Sequence, residues 1–252
     1  MRLGADPEVF LADVSTMQVV SAIGKIGGNK QFPLQIEGKK KGFTLQEDNV
    51  ALEFGIPPAK TCGTFIKYIK EVMQAGQEKV GDNLTFTNLS CVEFPKEELN
   101  HPLAHRFGCE PDYNAWTGQK NEKEDGLSTA LRSAGGHVHL ETGLDPNLMG
   151  QALDLFLGVP SLFLDKLGQK RRAFYGKAGA IRYKPYGLEY RVLSNFWIFA
   201  PKYTRWVWEQ SHRAAEMVQQ GIEVPNGVEH VINSGDITMA KYLVKKYELN
   251  VC

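Results

Sequence analysis

The stretch Gly135-Gly136-His137-Val138-His139-Leu140-Glu141 decides how the rest of the chain reads. Apolar and polar residues alternate through it, which is the two-residue period of a β-strand. Val138 and Leu140 take one face, while His137, His139 and Glu141 take the other. One face therefore packs into a core, and the other presents three ligand-type side chains. Neutral imidazole is a common metal ligand, and alternate strand positions converge on one site.

Working outward, three further segments repeat the pattern. Near the N-terminus, Gly4-Ala5-Asp6-Pro7-Glu8 places Asp6 and Glu8 on one face of a strand, about 7 Å apart. Two carboxylates so placed repel unless a cation lies between them. In Asn49-Val50-Ala51-Leu52-Glu53-Phe54, Glu53 interrupts an apolar strand, a costly placement unless it is paired or metal-bound. A regular pleat puts Glu47 on the same face as Glu53, with Asp48 just before the strand. In Gly187-Leu188-Glu189-Tyr190-Arg191, Glu189 and Arg191 share a face, and Arg182 and Lys184 lie upstream. A guanidinium beside a carboxylate is either an ion pair or a phosphate clamp next to a metal ligand. Four strands carrying acids or histidines, without thiolates, favour Mg²⁺ or Mn²⁺ over zinc. Such ions commonly serve phosphate chemistry.

Between these strands the sequence predicts helices. One runs from about Thr61, its cap, to Val80, with Phe65, Ile69 and Met73 on one face. Asp145 and Pro146 supply the cap and first-turn proline of another, which Pro160 is expected to split into a pair. Residues 84–94 and 171–198 read as extended. A Trp- and Arg-rich helix is expected from about Pro201 to Gln220, and Asp236 can cap a short last one. Pro95 to Asp125 reads as a long irregular loop, whose Asp112, Tyr113, Asn114 and Trp116 could line a pocket. Strands mixed with long helices and hairpin-scale turns imply an α+β fold. No glycine-rich phosphate turn of the dinucleotide-binding or P-loop kind follows any strand.

The whole chain sets bounds. Its 252 residues read as one domain, 1–252, whose tail after about 200 is mainly helical. Lysine plus arginine and aspartate plus glutamate both total 29, so no basic excess argues for a nucleic-acid partner. Cys62, Cys91, Cys109 and Cys252 form no C-x-x-C pair and read as free thiols. The apolar stretch Leu148–Leu167 is interrupted by Asp154, Pro160 and Asp165, as in a buried helix rather than a membrane span. No targeting segment is visible, so a cytoplasmic protein (the host cytoplasm, if phage-encoded) is expected. Oligomeric state is not readable.

Taken together, GADPE, the acidic strand ending at Glu53, GGHVHLE, and Arg182 through GLEYRVLSNFW resemble the phage carboxylate–amine ligase family. That family is a compact branch of the glutamate–cysteine ligase and glutamine synthetase superfamily. The resemblance runs in order from Gly4 to about Trp197. It implies a funnel of antiparallel strands backed by helices, holding ATP and Mg²⁺. ATP would phosphorylate a carboxylate, and an amine would then attack the acyl phosphate. On this resemblance Glu8, with Asp6 beside it, Glu53, one of His137 and His139, and Glu189 would hold metal. Arg191 would contact phosphoryl oxygens, and Arg182 and Lys184 would bind phosphate or a substrate carboxylate; catalysis would rest on Arg191, Arg182 and Glu53. Lys25 and Lys30, beside the Gly27-Gly28 turn, are further cations within reach of a phosphate. Asp6 departs from the larger ligases, which carry two glutamates on this strand. The implied partners are small-molecule or peptide carboxylates and amines. Competing readings are a guanidino-type phosphotransferase, a metal-dependent hydrolase using His137, His139 and Glu141, and a non-catalytic phage protein that keeps the fold.

Overall fold

A computed structural model describes residues 1–105, 111–121, 130–173 and 175–252. Cys109 lies outside the described residues.

The strands are β1 (Arg2–Asp13), β2 (Val19–Val20), β3 (Leu34–Gln35), β4 (Thr44–Asp48), β5 (Ala51–Ala59) and β6 (Leu84–Thr87). They continue with β7 (Cys91–Glu93), β8 (Tyr113–Asn114), β9 (Leu131–Ser133), β10 (Gly136–Glu141), β11 (Ala180–Lys184) and β12 (Gly187–Tyr190). Ten of them form one antiparallel sheet in the order β3-β4-β5-β1-β10-β12-β11-β8, with β2 and β6 pairing the far end of β1; β7 and β9 form a separate pair. The expected α+β class with a large antiparallel sheet is what the chain adopts.

Alternation along the central strands divides the sheet into two unlike faces. Leu3, Val9, Val138, Leu140, Ile181, Leu188 and Tyr190 are fully buried and contribute to one apolar core. Fully burying a side chain of this size contributes about 1.5–3 kcal/mol, so a one-residue slip of register would be heavily penalised. The helices Cys62–Val80 and Pro201–Gln219 pack on each other and complete this core, with Phe65 stacked on Trp197. The first helix is capped by the Thr61 hydroxyl, which accepts from the Thr64 amide as the sequence predicted. Asp145 and Asp236 cap their helices in the same way.

The structure departs from sequence expectation in four places. First, Pro160 does not split its helix. Pro146–Leu164 is one helical run with a π-helical stretch at Asp154–Gly158, where the Val159 amide reaches back to the Asp154 carbonyl. The widened turn falls just before the proline, where a missing amide and a bulky ring would break an α-helix. Among the described residues this run alone is long and apolar enough to cross a bilayer, and 67% of its window is buried inside the fold. Second, residues 171–198 are not all extended: Gly168–Arg172 and Asn195–Phe199 are helical turns around β11 and β12. Third, a helix not foreseen, Val228–Ser234, precedes Ile237–Lys246. Fourth, Asn49 and Val50 belong to a turn rather than a strand. Asn49 has φ 56°, and β5 starts only at Ala51.

Candidate active site

β1 is the middle strand of the polar face. Its Asp6 is the register partner of His137 on β10, and its Glu8 is the partner of Glu53 on β5. Across β10, His139 pairs with Glu189 on β12, which pairs in turn with Arg182 on β11. Residues as distant in sequence as Asp6 and His137 thus meet because antiparallel pairing aligns their alternate positions.

Two groups of three donors result. Asp6, His137 and Glu189 offer ligand atoms that all lie within 4.8 Å of one another. Glu8, Asp48 and Glu53 form the second such group. Each group takes one carboxylate from β1, two positions apart, so the two are adjacent.

Asp48 enters because the 48–51 turn folds β4 back on β5. That turn is held from outside: the Asn49 amide donates to the Ala104 carbonyl at 2.8 Å, and Arg132 Nε donates to Asn49 Oδ1 at 3.2 Å. Glu47, expected beside Glu53, points elsewhere. Its carboxylate accepts from the Ile26 and Gly27 amides at 3.1 and 2.9 Å and pins the loop that contains the Gly27-Gly28 turn. The expectation treated 47–53 as one pleated strand, whereas a turn intervenes and resets which residues share a face.

The electrostatics of the two groups differ. Burial, then the neighbouring Asp48, pushes the Glu8 carboxyl up to about 7, although the Gly135 amide donates to it at 2.6 Å. Glu53 is raised well above its ordinary value by burial and by Asp6, Asp48 and Glu8. Acids crowded this way favour protons or a cation. At the other group, burial drives Asp6 upward, but His139 and His137 outweigh it and hold Asp6 well below the usual carboxylate range. His137 is pushed down to about 3 by burial and by Arg191, which keeps its ring neutral and its lone pair available. Asp6 Oδ1 lies 2.9 Å from His139 Nε2 and 3.5 Å from His137 Nδ1. Even so, Asp6 Oδ1, His137 Nε2 and His139 Nε2 are buried without a directed hydrogen bond. Buried polar atoms left so are rare in folded proteins. Together with a donor set of hard oxygens and neutral imidazole, they fit a divalent cation of the Mg²⁺ or Mn²⁺ kind.

Two glycines make room for this geometry. A Cβ on Gly135 would lie 2.2 Å from His137 Nε2, and one on Gly136 would lie 2.2 Å from the Ser194 carbonyl oxygen. Trp197 Nε1 donates to the Gly136 carbonyl at 3.0 Å and fixes the strand where it enters the site.

Three cations border the polar face. Arg182 Nη1 is 3.1 Å from both Glu189 oxygens, Lys184 Nζ is 3.1 Å from Oε2, and Arg191 Nη1 bonds to Oε1. Arg191 also donates to the Tyr175 hydroxyl, and its Nε lies 3.7 Å from Asp112 Oδ2. Lys25 and Lys30 lie exposed on the loop before β3.

Of the candidate pocket residues, Asp112 lies against one of these cations, Arg191. Asn114 donates to Glu229, and Trp116 Nε1 donates to Asp154 Oδ2 at 2.6 Å, so both anchor their segment. Glu141 pairs with Arg2 at the end of the sheet, away from either donor group. Sequence reasoning missed Tyr175, the buried Arg171 that shares its ring, and Tyr186, whose hydroxyl is 2.5 Å from His139 Nδ1.

Residues 128–244 match the family described as "Phage phiEco32-like COOH.NH2 ligase-type 2". The second half of the chain is thus similar to a COOH–NH2 ligase family. This segment contains His137, His139, Arg182, Lys184, Glu189 and Arg191, whereas Asp6, Glu8, Asp48 and Glu53 precede it. No curated protein matches the chain. The matched segment contributes the histidines and cations, and β1, β4 and β5 bring the remaining acids to them.

Proposed function

We propose that this protein is an ATP- and Mg²⁺-dependent ligase that joins a carboxylate to an amine through an acyl phosphate. One observation carries the reading: two three-donor groups lie side by side on β1, bordered by three cations around Glu189. Phosphoryl transfer depends mainly on positioning and charge neutralisation, which is what such a face can provide. In this reading the fold is a funnel of the glutamine synthetase type, the whole chain 1–252 is the catalytic unit, and it works in the cytoplasm.

Asp6, His137 and Glu189 would hold one cation, and Glu8, Asp48 and Glu53 another. When bound, these ions neutralise phosphate charge and align the transferred group. Arg191, oriented by Tyr175, would lie against the phosphoryl oxygens with Arg182 and Lys184. The donor carboxylate oxygen attacks the γ-phosphorus and ADP leaves. The amine then attacks the acyl carbon, phosphate departs, and the amine proton is released. Glu53, whose carboxyl burial and its acidic neighbours hold well above the ordinary range, would become a ligand only on losing its proton.

Calorimetric titration of ATP, with and without Mg²⁺, tests this reading, followed by ADP release over paired acids and amines. Mg²⁺-dependent ATP binding that is lost in Glu8→Gln is the expected result. No ATP binding under either condition would remove the ligase reading.

A further inference from the structure

Glu189 is fully buried, and its carboxylate is already saturated. Oε1 takes Nη1 of Arg191 and Nη1 of Arg182, while Oε2 takes the same Arg182 nitrogen and Lys184 Nζ. A carboxylate has about four lone-pair directions, and these four contacts use them. Yet Glu189 also belongs to the donor group with Asp6 and His137, whose Nδ1 lies 3.8 Å from Oε1. A divalent cation at that group must take an oxygen that a guanidinium or ammonium now holds. It also brings two more positive charges beside three that are already there.

We propose that Glu189 is an exchange latch: in the metal-free protein it pairs with Arg182, Lys184 and Arg191, and on binding a divalent cation it releases them to a polyphosphate anion. The inference rests on the functional reading above only in taking Asp6, His137 and Glu189 as a cation site. Cation and anion then bind with positive coupling, and each raises the affinity for the other by the same factor.

The probe is inorganic pyrophosphate, titrated calorimetrically into the metal-free protein, with Mn²⁺ titrated separately. Glu189→Gln keeps the shape but removes the competing charge, so it should bind pyrophosphate without metal at least tenfold more tightly than wild type. Binding no tighter than wild type, in a variant that melts cooperatively, overturns the latch. Because removing a buried charge risks the fold, Lys184→Met provides a second reading at a partly exposed position. With one competitor gone from Glu189, Mn²⁺ should bind severalfold more tightly while pyrophosphate binds more weakly. Unchanged or weaker Mn²⁺ binding in that variant overturns the proposal. Wild-type protein that takes no Mn²⁺ overturns the cation site and the latch with it, whereas normal Mn²⁺ binding with unimproved pyrophosphate binding in Glu189→Gln overturns the latch alone.

Discussion

Glu8 on β1 and Glu53 on β5 sit directly opposite each other in the sheet, and Asp48 joins them from the neighbouring hairpin. Three carboxyls in that arrangement cannot all ionise without a counter-charge, so both glutamates hold their protons to unusually high pH.

Stability of the metal-free protein should therefore fall as pH rises from about 4.5 through 7. Glu8 has a folded value of about 7 against an ordinary 4.5, so the folded state binds the extra proton across that window. Glu53 acts in the same direction, as does Asp154, which burial raises to about 7. His137 opposes them below its ordinary 6.5, because its folded ring stays neutral down to about 3. Three groups against one leave a net loss of stability with rising pH. A melting temperature lower by on the order of 5 °C at pH 8 than at pH 5.5 is expected. Mg²⁺ should reverse the trend, with its stabilising effect growing as pH rises. A flat profile in the absence of metal would show that these acids are not held protonated.

Gly136→Ala should destabilise the protein strongly, since its Cβ meets the Ser194 backbone and the Trp197 indole nitrogen, neither of them a flexible tip. A cost of about 1–3 kcal/mol is typical of such overpacking. Gly135→Ala meets the His137 ring instead, so it should weaken Mn²⁺ binding more than it lowers the melting temperature. Comparing melts and Mn²⁺ titrations of the two variants separates the effects, and identical behaviour would contradict the contacts described.

Asp154 ties the Pro146–Leu164 run to the site from behind. It accepts from Tyr190, which stands between Glu189 and Arg191, and from Trp116 on the segment that carries Asp112. Asp154→Ala leaves a buried hydroxyl and a half-buried indole N–H without their partner, a loss of about 2–4 kcal/mol. Asp154→Asn keeps the shape and one acceptor, so it should lose less. Urea unfolding of both variants checks the order, and equal losses would mean that the hydrogen bonds contribute little.

Much of this site was legible because the sheet obeys a period of two. Asp6 with Glu8, His137 with His139, and Glu189 with Arg191 fall on one face simply by alternation, and the apolar residues between them enter the core. The pattern failed where a turn interrupts the period. Asp48-Asn49 has turn composition, but Asn49 was counted into the strand, which exchanged the roles of Glu47 and Asp48. The π-helical stretch before Pro160 was hidden for a related reason: proline signals a break, and only tertiary packing shows how a helix absorbs it. Tyr175 and Tyr186 reach the site from outside the four strand motifs, so no spacing rule points to them.

That exchange gives the sharpest comparison of a strand reading with the folded chain. Asp48 lies within 4.8 Å of Glu8 and Glu53, whereas Glu47 spends its carboxylate on the Ile26 and Gly27 amides. Asp48→Asn removes one negative ligand and relieves the repulsion on Glu8. Mn²⁺ affinity should fall by about tenfold or more, and the Glu8 carboxyl should titrate lower, towards its ordinary range. Glu47→Gln keeps the one oxygen that accepts both backbone amides but removes its charge. It should leave Mn²⁺ affinity within about twofold while speeding proteolysis of the loop through Gly28, because carboxylate bonds to backbone amides contribute roughly 1.5–3 kcal/mol each. Mn²⁺ titration with limited proteolysis on the same two proteins decides it. If Glu47→Gln costs the metal and Asp48→Asn does not, β4 and β5 form the continuous pleat expected from the sequence rather than the hairpin described.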